Sequence, residues 1–178
     1  MSYQEILNFW FHEVSPEDKF RRSDKLDGEI KNKFGNLLEQ AKRGELYHWR
    51  KEPKGRLAEI ILLDQFSRNI YRGHAKAFEA DPLALTLAQE MVLLQLDKEF
   101  SPEEKSFIYM PYMHSESALI HEEAMKLFTG PGLEEGYKFE LLHKEIIDRF
   151  GRYPHRNQIL GRVSTPEETE FLKTHSGF

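Results

Sequence analysis

The sequence predicts an all-α fold, a single-domain multi-helix array over residues 1–178, on three observations. One helix-start grammar recurs at Ser15-Pro16-Glu17-Asp18, Ser101-Pro102-Glu103-Glu104 and Thr165-Pro166-Glu167-Glu168. In each, a hydroxyl can accept from the third amide beyond it, Pro sits where its missing N–H costs nothing, and acidic residues meet the positive end of the helix dipole. Apolar residues recur at helical spacing, as in Leu26, Ile30, Phe34 and Leu37-Leu38. No alternating run of β-branched residues is joined by an Asn-Gly or Asp-Gly turn.

The elements follow in order. A first helix covers about residues 3–11, and the Ser15 cap opens a short one over about 16–21. The stripe from Leu26 to Leu38 marks about 24–43, with Gly44 as its stop. A stretch that is apolar nearly all round marks about 55–71 and reads as buried, with Gly73 behind it. Asp81-Pro82 opens about 82–97, carrying Leu87, Met91, Leu94 and Leu96. Ser101 opens about 102–128, bent near Pro111, which lacks the N–H for one helical bond, and Gly130 follows. Leu141-Leu142, Ile146-Ile147 and Phe150 mark about 133–150, ended by Gly151 in the left-handed conformation. Thr165 opens the last helix, about 166–174. No long Ser/Gly/Pro linker and no repeat of fixed period interrupts the series.

Composition excludes several function classes. A formal charge of −5 and a pI near 5.9 argue against a nucleic-acid partner. With no cysteine, thiolate metal sites and Cys nucleophiles are ruled out. No apolar run is long enough for a membrane span, and Met1-Ser2-Tyr3-Gln4-Glu5 lacks the features of a signal peptide, so a cytoplasmic protein with no membrane partner is expected.

The chemistry-bearing residues cluster in three places. Between Lys144 and Lys173 the cationic side chains are Arg only: Arg149, Arg152, Arg156 and Arg162, set around His155 and Asn157. A planar fork of fixed donors suits bidentate capture of a carboxylate or phosphate, and it suits structural pairing with acidic neighbours equally well. Gly151 and Pro154 shape this loop, Pro154 holding Tyr153 extended, and Asn157 can cap the turn that follows. Asp64 and Arg68 lie one turn apart inside the apolar helix, so they form either a buried pair that docks helices or, with Asn69, one wall of a cavity shared with the Arg-rich loop. Pro111 precedes His114 and Glu116, and on one continuous helix His114 and His121 share a face. The spacing lacks the His-Glu-x-x-His pattern of a metal site, so no metal and no cofactor is expected. His114 and His155 are the candidate proton-transfer groups.

The segments Leu62-Leu63-Asp64-Gln65-Phe66-Ser67-Arg68-Asn69-Ile70-Tyr71-Arg72-Gly73, Pro111-x-x-His114-Ser115-Glu116 and Arg149-Phe150-Gly151-Arg152-Tyr153-Pro154-His155-Arg156-Asn157 carry a resemblance. The chain resembles the uncharacterised, mostly bacterial proteins catalogued as domain of unknown function 924. The resemblance implies an all-helical, tetratricopeptide-repeat-like fold and brings no established reaction. It carries over to Asp64, Arg68, Asn69, His114, Glu116, Arg152, His155, Arg156 and Asn157 as motif members. Ser67 stands where the family pattern has Pro, which implies a more regular helix here, and His121 stands where it has Gln. Two functions follow as expectations: a polar pocket for a small anionic metabolite, lined by Arg68, Asn69, Arg152, His155, Arg156 and Asn157 with Asp64 and Glu116 as carboxylates, or a helical scaffold for a peptide or protein partner.

Overall fold

The hydroxyl caps expected from sequence are formed: Ser15, Ser101 and Thr165 each accept from the amide three residues on, at 3.2, 3.3 and 3.1 Å. The computed structural model describes residues 2–175 and residue 177, and every regular element among them is helical. In chain order these are α1 (Tyr3–Asn8), which continues as a π-helical turn (Phe9–Glu13), α2 (Pro16–Phe20) and α3 (Asp24–Lys42). Next comes α4 (Pro53–Ile61), which runs through a second π turn (Leu62–Phe66) into α5 (Ser67–Ile70). Then follow α6 (Asp81–Leu93), α7 (Pro102–Met113), α8 (Ala118–Leu127), α9 (Glu134–Phe150) and α10 (Pro166–Phe171). Short 3₁₀ turns cover Tyr47–Lys51, Ala75–Ala77, Leu96–Glu99 and Pro154–Arg156.

One aromatic cluster holds the N-terminal half together. Phe9, Trp10, Phe34, Phe66 and Phe107 meet with ring centroids 5.1 to 6.1 Å apart, in tilted and edge-on geometries that aromatic quadrupoles favour. Packing then proceeds along the chain: α4 on α1, α6 and α7, and α6 on α7, α7 on α8, α8 on α9. A smaller apolar cluster of Ile146, Ile147 and Tyr153, backed by Phe150 and Phe171, seats the Arg-rich loop on α9. Gly55 is required where α4 begins, because a Cβ there would collide with the Trp49 carbonyl.

Three expectations change. The helix expected over about 102–128 is two helices, α7 and α8, separated at residues 114–117. Pro111 has no N–H to donate in the last turn of α7, and just past that helix the Ser115 carbonyl is taken by the His121 ring at 2.8 Å instead of by a further amide. His114 and His121 therefore do not share a helix face. The helix expected to reach residue 97 ends at Leu93, because Gln95 turns left-handed at φ 59°. Third, Ser67 does not make its helix regular.

The π turn explains that last difference. The Ser67 amide reaches back five residues to Leu62, and the extra residue rotates the helix between its two halves. The α4 half faces α1, α6 and α7, while the π turn and α5 face α3. Ser67 covers the backbone groups the turn disturbs: its hydroxyl lies 2.6 Å from the Leu63 carbonyl, 3.2 Å from that of Asp64 and 3.1 Å from that of Ala77. The chain is fully buried at this residue. Ser67→Ala leaves these carbonyls short of a donor and should cost about 1–3 kcal/mol. Urea titration checks it: the midpoint falls with an unchanged m-value, and no shift in midpoint would mean that the hydroxyl does not support the turn.

Candidate functional site around Arg156 and His114

The same π turn carries Asp64 into the interior, where its residue is 1% exposed. A carboxylate this deep needs partners to stay ionised. It has three: His114 Nδ1 at 2.7 Å, Gln65 Nε2 at 2.6 Å and the Arg68 guanidinium at 3.3 Å. Burial alone would raise the Asp64 pKa, but attraction to His114 and Arg68 and these hydrogen bonds outweigh it, so the group sits below the usual carboxylate range. His114 moves down from its ordinary value because burial and the Arg68 charge outweigh the pull of Asp64. At neutral pH the pair is a carboxylate and a neutral imidazole, with Nδ1–H donating to Asp64.

Arg68 extends the network to the start of α6. It donates to both Asp81 oxygens at 2.9 and 3.0 Å and to the Asp64 carbonyl at 2.8 Å. Asp81 in turn lies 3.5 Å from Arg156 Nη1. Arg156 is held between two rings, its guanidinium carbon 4.6 Å from the Phe78 centroid and 4.6 Å from that of Tyr153. Contact with aromatic faces at this distance is a cation–π arrangement, which engages the guanidinium without using its N–H donors. Among the described residues Arg156 donates no hydrogen bond, and its buried Nε has no partner. Burial, and then repulsion from Arg68, lower its pKa from the usual arginine value.

These groups border an open cavity of about 500 Å³. Its polar wall is Glu79, Asp81, His114, Ser115, Glu116 and Arg156, and its apolar wall is Ala75, Phe78, Pro82, Leu85, Pro111 and Leu160. Glu116 is already engaged: it accepts from the Tyr153 amide at 2.7 Å and from Arg162 at 2.7 and 2.9 Å. A larger groove of about 610 Å³ lies near the N-terminus, between Tyr3, Phe11, Lys54 and Glu104 among others, and has no comparable convergence of buried charge.

The candidate residues separate into three groups. Asp64, Arg68, His114, Glu116 and Arg156 meet at or directly behind this cavity. Arg152, Asn157 and Asn69 are placed elsewhere. Arg152 is bidentate to Glu168 at 2.6 and 2.8 Å and donates to the Val163 carbonyl at 2.9 Å. Asn157 does not cap the turn after it. Its amide donates to Ser164 and Glu168 at 3.0 and 3.2 Å and its oxygen accepts from Arg162 at 2.9 Å. Asn69 donates to Asp27 at 2.8 Å and ties α5 to α3, beside the bidentate Arg72–Asp27 pair at 2.6 and 2.9 Å. His155 packs on the Tyr153 ring at 5.4 Å, and burial, aided by Arg156, lowers its pKa to about 4. Gly151 is left-handed at φ 68° and Tyr153 is extended before Pro154, as the loop chemistry requires. Among the described residues no group of three or more His or carboxylate side chains converges as metal ligands.

Two partners of the cavity were missed. Asp81 reads from sequence only as a helix start, yet its carboxylate bridges Arg68 and Arg156. Phe78 has no local signal at all, since its role depends on a loop some eighty residues later. Behind the cavity, Tyr153 donates to the Met113 carbonyl at 2.6 Å, and His121 is bound by Glu140 at 2.6 Å. His143 lies 6.4 Å from the His114 ring, and burial lowers its pKa to about 3.

Two consequences are measurable. Arg68→Ala removes the one full charge paired with buried Asp64 and the bidentate partner of Asp81, and should cost on the order of 3–5 kcal/mol. A loss under about 1 kcal/mol in chemical denaturation would mean that water screens the pair. The second concerns pH. His114, His143 and His155 all have folded-state pKa values below the unfolded value, so the unfolded chain binds more protons as pH falls beneath about 6.5. Stability should therefore already decline between about pH 6.5 and 4, before most carboxylates titrate. Glu140, raised by burial, works in the opposite direction as one group against three. A denaturation midpoint flat over that interval would show the three imidazoles are protonated in the fold.

Residues 6–176 match the family model described as a bacterial protein of unknown function, DUF924. The chain belongs to that family. A solved structure of a protein of unknown function from Agrobacterium tumefaciens is similar at 34% identity, with a TM-score of 0.88 and 97% of each chain covered. No curated protein matches the chain. No helix among the described residues is long and apolar enough to cross a membrane.

Proposed function

We propose that this member of the DUF924 family binds a small organic anion, a carboxylate with an apolar body, in the cavity between α6, the end of α7 and the Arg156 turn. One observation carries the reading. Arg156 is 6% exposed and stacked between Phe78 and Tyr153, with a single ion-pair contact at 3.5 Å and no hydrogen bond donated among the described residues. Buried guanidinium donors normally find acceptors, and a bound carboxylate would supply them. The neighbouring basic side chains do not share this property: Arg68, Arg152 and Arg162 each hold a carboxylate bidentately. Phe78, Leu85, Pro111 and Leu160 supply an apolar wall on which a hydrocarbon chain can be buried.

Thermal denaturation at fixed ionic strength tests the reading, since a ligand of the native state raises the apparent stability. 4-Methylpentanoate should raise Tm relative to chloride. Arg156→Lys should abolish most of that rise despite keeping the charge, because the flat fork is lost. Arg152→Lys should lower the starting Tm and leave the rise intact, because Arg152 is committed to Glu168. Equal responses to 4-methylpentanoate and chloride in the wild-type protein would overturn the proposal.

A second reading, a tetratricopeptide-repeat-like scaffold for a peptide, is favoured by the exposed Leu119, Phe139 and Leu142 on α8 and α9. These residues lie outside the cavity, so the two readings concern separate surfaces.

A further inference from the structure

We infer that the cavity selects carboxylic acids carrying a hydroxyl group, because His114 presents Nε2 to it as a hydrogen-bond acceptor beside the Arg156 donors. The inference rests on the carboxylate reading above and adds the ligand's second functional group.

The Asp64 carboxylate can only accept when ionised, so the 2.7 Å contact places a hydrogen on His114 Nδ1. A neutral ring then has a lone pair on Nε2. The ring is kept neutral by its surroundings, and the groups facing it come from every packed element. Asp64 and Arg68 lie on the π turn and α5, Asp81 on α6 and His143 on α9, with Glu116 and Arg156 at the cavity. Asp64 and Asp81 are offset by Arg68 and Arg156, so no net negative charge remains to draw a second proton onto the ring. Among the described residues Nε2 has no hydrogen-bond partner, while the side chain is 17% exposed and lines the cavity.

The carboxylates at the cavity already have cationic partners. Asp81 holds Arg68, Glu79 holds Lys42, and Glu116 holds Arg162 and the Tyr153 amide. A ligand that offers only a carboxylate satisfies Arg156 and leaves Nε2 without a donor once water is displaced. A hydroxyl on the same ligand supplies that donor. A keto group cannot, and it would set its oxygen against the Nε2 lone pair. Sites built to receive a ligand hydroxyl discriminate against analogues that lack it, because the protein group is then left unpaired.

The test is a calorimetric titration at pH 8 with four acids on one carbon frame: 4-methylpentanoate and its 2-hydroxy, 3-hydroxy and 2-oxo derivatives. At least one hydroxy acid should bind about 10-fold more tightly than 4-methylpentanoate, and the 2-oxo acid should bind no more tightly than it. His114→Asn can still donate to Asp64 but offers no acceptor at the Nε2 position. It should erase the hydroxyl advantage while leaving 4-methylpentanoate affinity within about 3-fold. If all four acids bind alike and Arg156→Lys weakens them equally, the carboxylate site stands and the hydroxyl inference falls. Tighter binding of the 2-oxo acid than of both hydroxy acids also overturns it. If none of the four binds, both readings fall together. Should the Asn variant not fold, the wild-type series decides alone.

Discussion

The position of Asp64 is the constraint on which the rest of this structure depends. A carboxylate in the middle of a buried helix is costly unless several donors meet it. Three side chains meet it: Gln65 from the π turn, Arg68 from α5 and His114 from the end of α7. Each arrival fixes something further. Because Arg68 reaches Asp81, it sets the start of α6. His114 caps α7 just before the break that separates it from α8. The ion pair thus acts on helix registry more than on net stability, which is the use of buried charge that physical chemistry best supports.

The Arg-rich loop is held by a second network of different character. Arg152, Glu168 and Asn157 interlock, and Arg162 joins Asn157 to Glu116. The bidentate hydrogen bonds of Arg152 hold the Glu168 carboxyl down to about 2, and Glu168 also closes the capping box of α10. This arrangement accounts for the absence of Lys across the segment: a point charge could not serve two acceptors in one plane. It also isolates Arg156. With its neighbours held by carboxylates, Arg156 is the guanidinium of the loop that lies at the cavity, over the Phe78 and Tyr153 rings.

Local chemistry was legible in the sequence, and meetings across the fold were not. The hydroxyl-Pro-acidic starts, the Gly151 stop and the Asp64–Arg68 spacing each depend on a few adjacent residues, and all three were read from them. The break at 114–117 was harder, because Pro111 announces a disturbance without saying whether the helix bends or stops. It stops where the His121 ring takes the Ser115 carbonyl, a group that a continuing helix would have used. The π turn had no signal, since Leu62-Leu63-Asp64-Gln65-Phe66 is as compatible with an α-helix. What selects it is that α4 and α5 must face different neighbours. The Phe78–Arg156–Tyr153 sandwich was out of reach for a like reason, as it joins three segments by packing alone. Arg152 and Arg156, four residues apart and alike on paper, end in separate networks because Pro154 turns the chain between them.

The floor beneath the cavity shows how firmly His114 is placed. The Ser115 carbonyl only accepts, so the His121 Nε2 beside it at 2.8 Å carries a hydrogen. Tyr153 spends its own hydrogen on the Met113 carbonyl at 2.6 Å and can accept from that same Nε2 at 3.2 Å. The Met113 and Ser115 carbonyls on either side of His114 are thus held from below, the first directly and the second through His121, by a phenol whose ring also contacts Arg156. The acceptor at His114 and the donors at Arg156 consequently share a support in Tyr153, which is fully buried. Groups fixed through a common rigid element keep their separation, and a fixed separation between one acceptor and one donor fork is what allows a cavity to distinguish ligands by shape and hydrogen bonding. An open helical array with mobile side chains could bind anions through charge alone, whereas this geometry gives charge a direction.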